Sequence, residues 1–318
     1  MRRILSIDAG GVRGIIPATI LAEVEARTGQ PVCNLFDFFA GTSSGGMLVL
    51  ALNCPHKSGC PRPLCSAAQI ARLFDEWGNR PFGSKVPKTG QPIGEMSSEN
   101  RIEDMFREYF GNALLSDSIK PTMVTAVDLT TGQPFFLNSA KVVRNLGKDV
   151  LMWQAARATT AVPTHFSPLR LSVSDASFRD RETCLVDGSL FASNPAMCAL
   201  AEARSLFPGE EDFLLLSLGC GEAARMPLAS QQKRRCIFDF SLAAQSACVD
   251  YQMRAFLPRQ RYIRIQADSM PGFERIDDAS EQNLRALQRE ARETIARNAD
   301  ALVQLLDLLA PSLALAVA

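Results

Sequence analysis

The sequence predicts an α/β fold: a three-layer α/β/α arrangement with a mostly parallel central sheet. Three observations point to it. Short apolar runs of strand character alternate along the chain with segments of helical period. Several of those runs end in a glycine turn that opens directly into a helix. One of them, "DFLLLSLGCG", is apolar almost continuously, as in a strand buried on both faces. No linker, charge block or internal repeat divides the 318 residues. A single domain over 1–318 is therefore expected, with a core at roughly 4–200 and further strands and a long helix at 212–310.

In chain order, "RRILSID" reads as a short buried strand and "AGGVRG" as a glycine turn. Ile15 to Thr28 carries apolar residues at helical spacing, with Gly29 as the stop signal. "LFDFFAG" is the second strand, Ser43 stands in the turn after it, and "SGGMLVLALN" is a helix buried on most sides. Residues 54–66 form a loop rich in proline and cysteine, "AAQIARLFDEWGN" an amphipathic helix, and 79–97 an irregular loop. "ENRIEDMFREYFG" is helical, and "TMVTAVDL" and "QPFFLNS" are strands joined by the turn "TTGQ". "MWQAARATTAV" is a helix that Pro163 ends, and "FRDRETCLVDGSL" is a strand ending at Asp187-Gly188. In "NPAMCALAEARSLF", Asn194 caps a helix with Pro195 at its first position. The last long helix opens with a capping box, Asp278 and Glu281. Its leucines, from Leu284 and Leu287 to Leu306 and Leu309, recur at helical intervals.

The 34 basic and 34 acidic residues cancel, so no overall field draws the chain to a nucleic acid polymer. The apolar stretch after Arg3 meets Asp8 too early for a secretory signal, and no run is long enough to span a bilayer. The nine cysteines are odd in number and scattered, so they read as reduced, and a cytoplasmic protein is expected. The C-terminal "ALVQLLDLLAPSLALAVA", interrupted by Asp307 and Pro311, reads as a core-packed helix with a tail able to touch a membrane interface. "CPHKSGCPRPLC" offers Cys54, His56, Cys60 and Cys65 as zinc ligands by type, but not at the spacing of a finger or ribbon. A proline-stiffened surface loop is the plainer reading, and no cofactor is expected.

Ser43 sits in Gly41-Thr42-Ser43-Ser44-Gly45, a G-x-S-x-G sequence between a strand and a helix. A nucleophile elbow needs that context: the turn strains the serine, and side chains at 41 or 45 would collide with neighbouring backbone. A base must then take the serine's proton. The chain has two histidines, His56 and His165, and none follows Asp187, so the usual order of serine, acid and histidine is not available. Asp187 is a candidate instead, at the carboxyl end of an apolar strand and followed by Gly188, because an aspartate drawn out of water becomes a stronger base. "DAGGVRG" supplies the third part: amides of Gly10 and Gly11 to hold an oxyanion, with Arg13 and Gly14 beside them. A dinucleotide-binding turn competes for the same residues, but Ala9 stands where its first glycine would be.

"LSIDAGGVRGIIPATIL", "FAGTSSGG", "ARATTAVPTHFSP" and "LVDGSLFASNPA" occur in the order and spacing of the patatin-like phospholipases, which most of this chain resembles. The resemblance implies a lipid acyl hydrolase that uses a Ser–Asp dyad without histidine or metal. Carried over, Ser43 is the nucleophile, Asp187 the base, and Gly10, Gly11, Arg13 and Gly14 the oxyanion loop. Ala9 and Ser189 depart from the family's usual residues. The chain is also similar to phospholipase effectors of antiphage defence, which a cyclic di- or oligonucleotide switches on to degrade membrane lipid at the inner face. Between Arg225 and Arg264 eight basic residues meet two acids, a local excess of six positive charges. Such a segment fits lipid phosphates or an anionic activator, and equally a solvated face balanced elsewhere in the fold. The expected partners are thus membrane phospholipid, such an activator and further copies of the chain. A catalytically silent module that binds nucleotide or lipid is the alternative.

Overall fold

In the computed structural model the described residues are 1–56, 62–78, 95–163, 165–174, 180–221, 234–268 and 277–315. The first half runs β1 (Arg2–Ile7), a 3₁₀ turn (Gly11–Gly14), α1 (Ile15–Thr28), α2 (Val32–Leu35), β2 (Phe38–Gly41), α3 (Ser44–Asn53), α4 (Ala67–Gly78) and α5 (Glu95–Phe110). A second 3₁₀ turn (Leu115–Asp117) leads to β3 (Thr122–Asp128), β4 (Gln133–Asn138), α6 (Ser139–Val143) and α7 (Met152–Thr159). Then follow β5 (Leu169–Ser174), β6 (Asp180–Asp187), α8 (Ser189–Ala192), α9 (Ala196–Leu206), β7 (Phe213–Leu218) and α10 (Arg234–Phe256). The chain continues with β8 (Tyr262–Ile265), α11 (Glu281–Arg297) and α12 (Ala299–Leu315).

All eight strands join one sheet in the order β5-β6-β3-β2-β1-β7-β8, with β4 paired to β3. The centre is parallel: β1 pairs in parallel with β2 and β7, β2 with β3, and β7 with β8. Side chains alternate along these strands and divide the interior into two cores. Leu5, Ile7, Phe39, Val124, Leu214 and Leu216 pack on the side of α1, α3 and α11. Ile4, Phe38, Ala40, Met123, Phe213 and Leu215 pack on the side of α9 and α10. This is the expected three-layer architecture, made by a period-2 pattern with both faces buried.

The register of β3 matters most for function. One of its edges pairs with β4. The other carries two strands in succession: β2 along Phe39–Gly41, in parallel, and β6 along Leu185–Asp187, antiparallel. Gly41 ends β2 opposite Val124, and Asp187 ends β6 opposite Ala126. Two strands running in opposite directions therefore finish head to head on one edge, two residues of β3 apart.

Several expected elements are placed differently. The run "LFDFFAG" is a strand only from Phe38, because Val32–Leu35 form a helical turn after Pro31 and the Asp37 carboxylate accepts from Arg3 N at 2.8 Å. The helix expected up to Pro163 stops at Thr159, where the chain leaves helical geometry and the threonine hydroxyl turns to the sheet. Helix α5 starts at Glu95, inside the loop expected over 79–97, whose residues 79–94 lie outside the described ones. The long last helix is two helices broken at Asn298. Its cap is Ser280, whose Oγ accepts from Asn283 N at 3.4 Å, while Asp278 accepts from Ser280 N at 3.0 Å. Pro195 precedes α9 rather than opening it, and Asn194 Oδ1 accepts from Ala196 N at 3.0 Å.

Candidate active site

Ser43 stands between β2 and α3 with φ 56° and ψ −125°, a region that costs a non-glycine residue of order 1–3 kcal/mol. The turn is crowded on both sides. A Cβ on Gly41 would lie 2.3 Å from Gly45 O, and one on Gly45 would lie 2.4 Å from Ile7 O. Glycine at both positions lets the backbone pass, and the N-terminal end of α3, with its positive dipole end, begins at the next residue.

Buried hydroxyls fasten the turn. Ser43 N donates to Thr159 Oγ1 at 3.0 Å, and that hydroxyl donates to Thr125 O at 2.7 Å. Thr42 Oγ1 donates to Ala192 O at 2.7 Å. Its single proton is then used, so the Thr125 hydroxyl is the donor in the 2.8 Å contact between the two threonines. Thr42, Thr125 and Thr159 are all fully buried. Thr125 and Thr159 are site residues that no sequence motif marks. The signal was present in "TMVTAVD" and "ARATTAV", where a hydroxyl stands among apolar residues with no local turn or cap to use it.

Asp187 is completely buried. Its Oδ1 accepts from Ser189 N at 2.7 Å, whereas Oδ2 has no hydrogen-bond partner among the described residues. Burial pushes its carboxyl from 3.8 up to about 6, against the opposing pull of the Ser43 hydroxyl beside it and of Ser189. The Ser43 hydroxyl is near enough to pull the Asp187 carboxyl down, while Oδ2 is left without a full hydrogen bond among the described residues. Asp187 comes beside Ser43 by a route other than the one expected from sequence: β6 runs antiparallel to β3, so the carboxyl-end rule of parallel strands is not what brings it there. Gly188 packs on Thr125, whose Oγ1 lies 2.1 Å from where a Cβ would be.

The glycine loop lies on the other side of the serine. Among the described residues the N–H groups of Gly10 and Gly11 have no acceptor. Gly10 rests on Cys220, and Gly11, with φ 57°, lines the same cleft as Ser43. Arg13 folds back, its N and Nε donating to Gly10 O at 3.2 and 3.4 Å. Gly14 is a packing position, 2.7 Å from Phe74 Cζ at its would-be Cβ. The cleft, about 70 Å³, is walled by apolar side chains, among them Met47, Phe74, Met105, Phe106 and Phe166.

The two histidines are separated. His56 Nε2 lies 3.4 Å from Arg62 Nη2. His165 lines the cleft and faces Asp277, 3.5 Å from its Oδ2. Of the zinc candidates, Cys60 lies outside the described residues, Cys54 Sγ donates to Pro55 O, and Cys65 sits against Tyr109. No group of three or more metal-ligating side chains occurs among the described residues. Nor is any helix among them long and apolar enough to cross a membrane. The basic segment is partly neutralised: Arg254 pairs with Asp250, Arg261 with Asp212 and Arg264 with Asp8. The charges of residues 225 and 233–235 lie outside the described side chains.

A strained serine between strand and helix in an α/β/α sandwich, beside a buried carboxylate and an apolar cleft, is the outline of a serine esterase for lipid-like substrates. The family model for patatin-like phospholipase matches residues 5–200, and the chain belongs to that family. It is a lipid-hydrolysing esterase. Patatin-like protein 2 of Arabidopsis thaliana is 29% identical, over 92% of this chain and 82% of that protein. Patatin-like protein 2 of Oryza sativa subsp. indica is 28% identical, over 89% and 81%. Patatin-17 of Solanum cardiophyllum is 26% identical, over 90% and 82%. Human GIVD cytosolic phospholipase A2 overlaps in outline only, with a TM-score of 0.45 and 11% identity over 98% of this chain and 60% of that one.

Proposed function

We propose that the chain cleaves acyl esters of phospholipids through an acyl-enzyme on Ser43, with Asp187 as the only base. One observation carries this reading: a buried carboxylate with an open oxygen beside a hydroxyl held at a strained turn. Asp187 Oδ2 takes the Ser43 proton as Oγ bonds to the ester carbonyl carbon. The tetrahedral oxyanion is met by the Gly10 and Gly11 amides, each worth about 3–4 kcal/mol in such a role. The protonated Asp187 then gives its proton to the departing lysolipid alcohol. Water enters, Asp187 takes one of its protons, and the fatty acid leaves as Ser43 regains its hydrogen. The whole chain acts as a single catalytic unit, since β7 and β8 continue the sheet that carries the site.

The test is hydrolysis of a phospholipid and a p-nitrophenyl ester, together with labelling of Ser43 by a fluorophosphonate. Ser43→Ala and Asp187→Ala each abolish turnover, whereas His56→Ala and His165→Ala keep it. Full activity in the Asp187 variant ends the dyad reading, and a wild-type Ser43 that never labels favours the silent binding module. At a finer level, activation by a cyclic di- or oligonucleotide and action at the inner membrane face in antiphage defence rest on likeness alone. Activity indifferent to a panel of cyclic nucleotides rejects that refinement and leaves the esterase.

A further inference from the structure

We propose that Arg264, from the last strand of the sheet, is a positioning residue that holds the Gly10–Gly11 loop in register with Ser43. The inference rests on the oxyanion role given to that loop above. Asp8 is the first residue after β1, and its N–H, carbonyl and carboxylate are all tied to the β7–β8 side of the sheet. Its N donates to Leu218 O at 2.9 Å, and its O accepts from Cys220 Sγ at 3.4 Å. Its carboxylate takes both arms of the Arg264 guanidinium, Nη1 to Oδ1 at 3.0 Å and Nη2 to Oδ2 at 2.5 Å. The same guanidinium donates to Ser217 Oγ at 2.7 Å and Ser246 Oγ at 3.3 Å. The Arg264 and Asp8 side chains are 7% and 5% exposed.

Three further contacts carry this anchor to the catalytic groups. Ala9 N donates to Ser193 O at 2.9 Å. Gly10 lies so close to Cys220 that a Cβ there would sit 2.2 Å from the cysteine Cβ. Gly45, in the serine turn, packs against the carbonyl oxygens of Ile7 and Asp8. The Asp8 backbone is thus the joint between the amides meant for the oxyanion and the turn that carries the nucleophile. Because Asp8 neutralises the guanidinium, Arg264 acts through placement rather than through its charge. A displacement of about 1 Å at such a joint is enough to cost about a hundredfold in rate. Lysine cannot replace the fork: one ammonium does not span two carboxylate oxygens and two serine hydroxyls. Arg264 also lies outside residues 5–200, the part matched by the family model.

The experiment measures kcat and KM on a p-nitrophenyl ester, with kcat expressed per serine titrated by a fluorophosphonate. Arg264→Lys should lower kcat per titrated serine by about 10–100-fold with KM within about twofold, and Ser246→Ala by a few-fold. A residue that only stabilises the fold would reduce the titratable fraction and leave turnover per titrated serine unchanged. That result in Arg264→Lys overturns the inference. Should Arg264→Lys fail to fold, unchanged turnover in both Ser217→Ala and Ser246→Ala overturns it equally. Ser43→Ala separates the two levels: its loss of activity beside a fully active Arg264→Lys sinks the positioning role alone. Survival of hydrolysis in Ser43→Ala sinks the reading of the site and this inference with it.

Discussion

Asp187 is an acid buried at the end of a strand, and its surroundings favour the protonated carboxyl over the charged one. Burial raises its carboxyl from 3.8 to about 6, so the folded protein holds this proton more tightly than the unfolded chain does. The stability contributed by protonation is fully present below about pH 4 and is lost as pH rises through about 6. Above that, the ionised buried carboxylate costs ~3 kcal/mol, the free-energy equivalent of the displacement. Two outcomes follow for one side chain. Hydrolytic kcat/KM should fall below about pH 6, because a protonated Asp187 cannot accept from Ser43. Asp187→Asn should abolish activity and yet melt higher than wild type at pH 8, with the advantage gone by pH 4; thermal denaturation across pH checks it. Much of this residue was readable in "CLVDG", since an acid ending an apolar strand is exposed to desolvation. That its second oxygen is left without a full hydrogen bond among the described residues was not readable, because its surroundings are set by strand pairing rather than by its neighbours in sequence.

At the scale of elements, the turn after β2 is held by side chains that belong to other elements. Thr159 from the end of α7 accepts from Ser43 N and donates to β3, so one hydroxyl joins the serine turn to helix and sheet. Thr159→Val keeps the shape and removes the acceptor, leaving a buried N–H unpaired at a cost of about 1–3 kcal/mol. We expect it to lower kcat at least tenfold, and Thr159→Ser to restore most of the loss; steady-state kinetics of the pair decide. Local signals read well here. Gly29 ends α1 with φ 66°, and the α1 and α3 bounds follow the apolar period. Signals that depended on neighbours read poorly. The capping residue of α11 shifted from Asp278 to Ser280, and the break at Asn298 was invisible because the apolar spacing runs straight through it.

Across the whole molecule, the sheet extends well past the part the family model covers. β7 pairs with β1 along all of Arg2–Ile7, and Phe213, Leu215 and Tyr262 fill the second core. A chain cut after residue 200 would expose a long apolar strand edge and leave Asp8 buried without its arginine. It should aggregate or stay unfolded, and size-exclusion chromatography with circular dichroism would reveal a folded monomer if this is wrong. α10 and the edge strand β5 were not foreseen from sequence, and β8 only as an unplaced further strand within 212–310. They are short or of mixed polarity, and what defines them is the strand or core they pack against.

By itself the sequence determined what local sterics and period dictate: an α/β chain, a serine turn bracketed by the only residue type that fits there, and a glycine loop between the first strand and its helix. These depend on residues within a few positions of one another, so they leave a mark that can be read. The tertiary structure alone decided that β2 and β6 end head to head on one edge of β3, bringing residues 43 and 187 together. It alone set Arg264 against Asp8, 256 positions earlier. Strand direction and pairing across such distances arise from the competition of the whole chain for burial, and no periodicity in the sequence records the outcome.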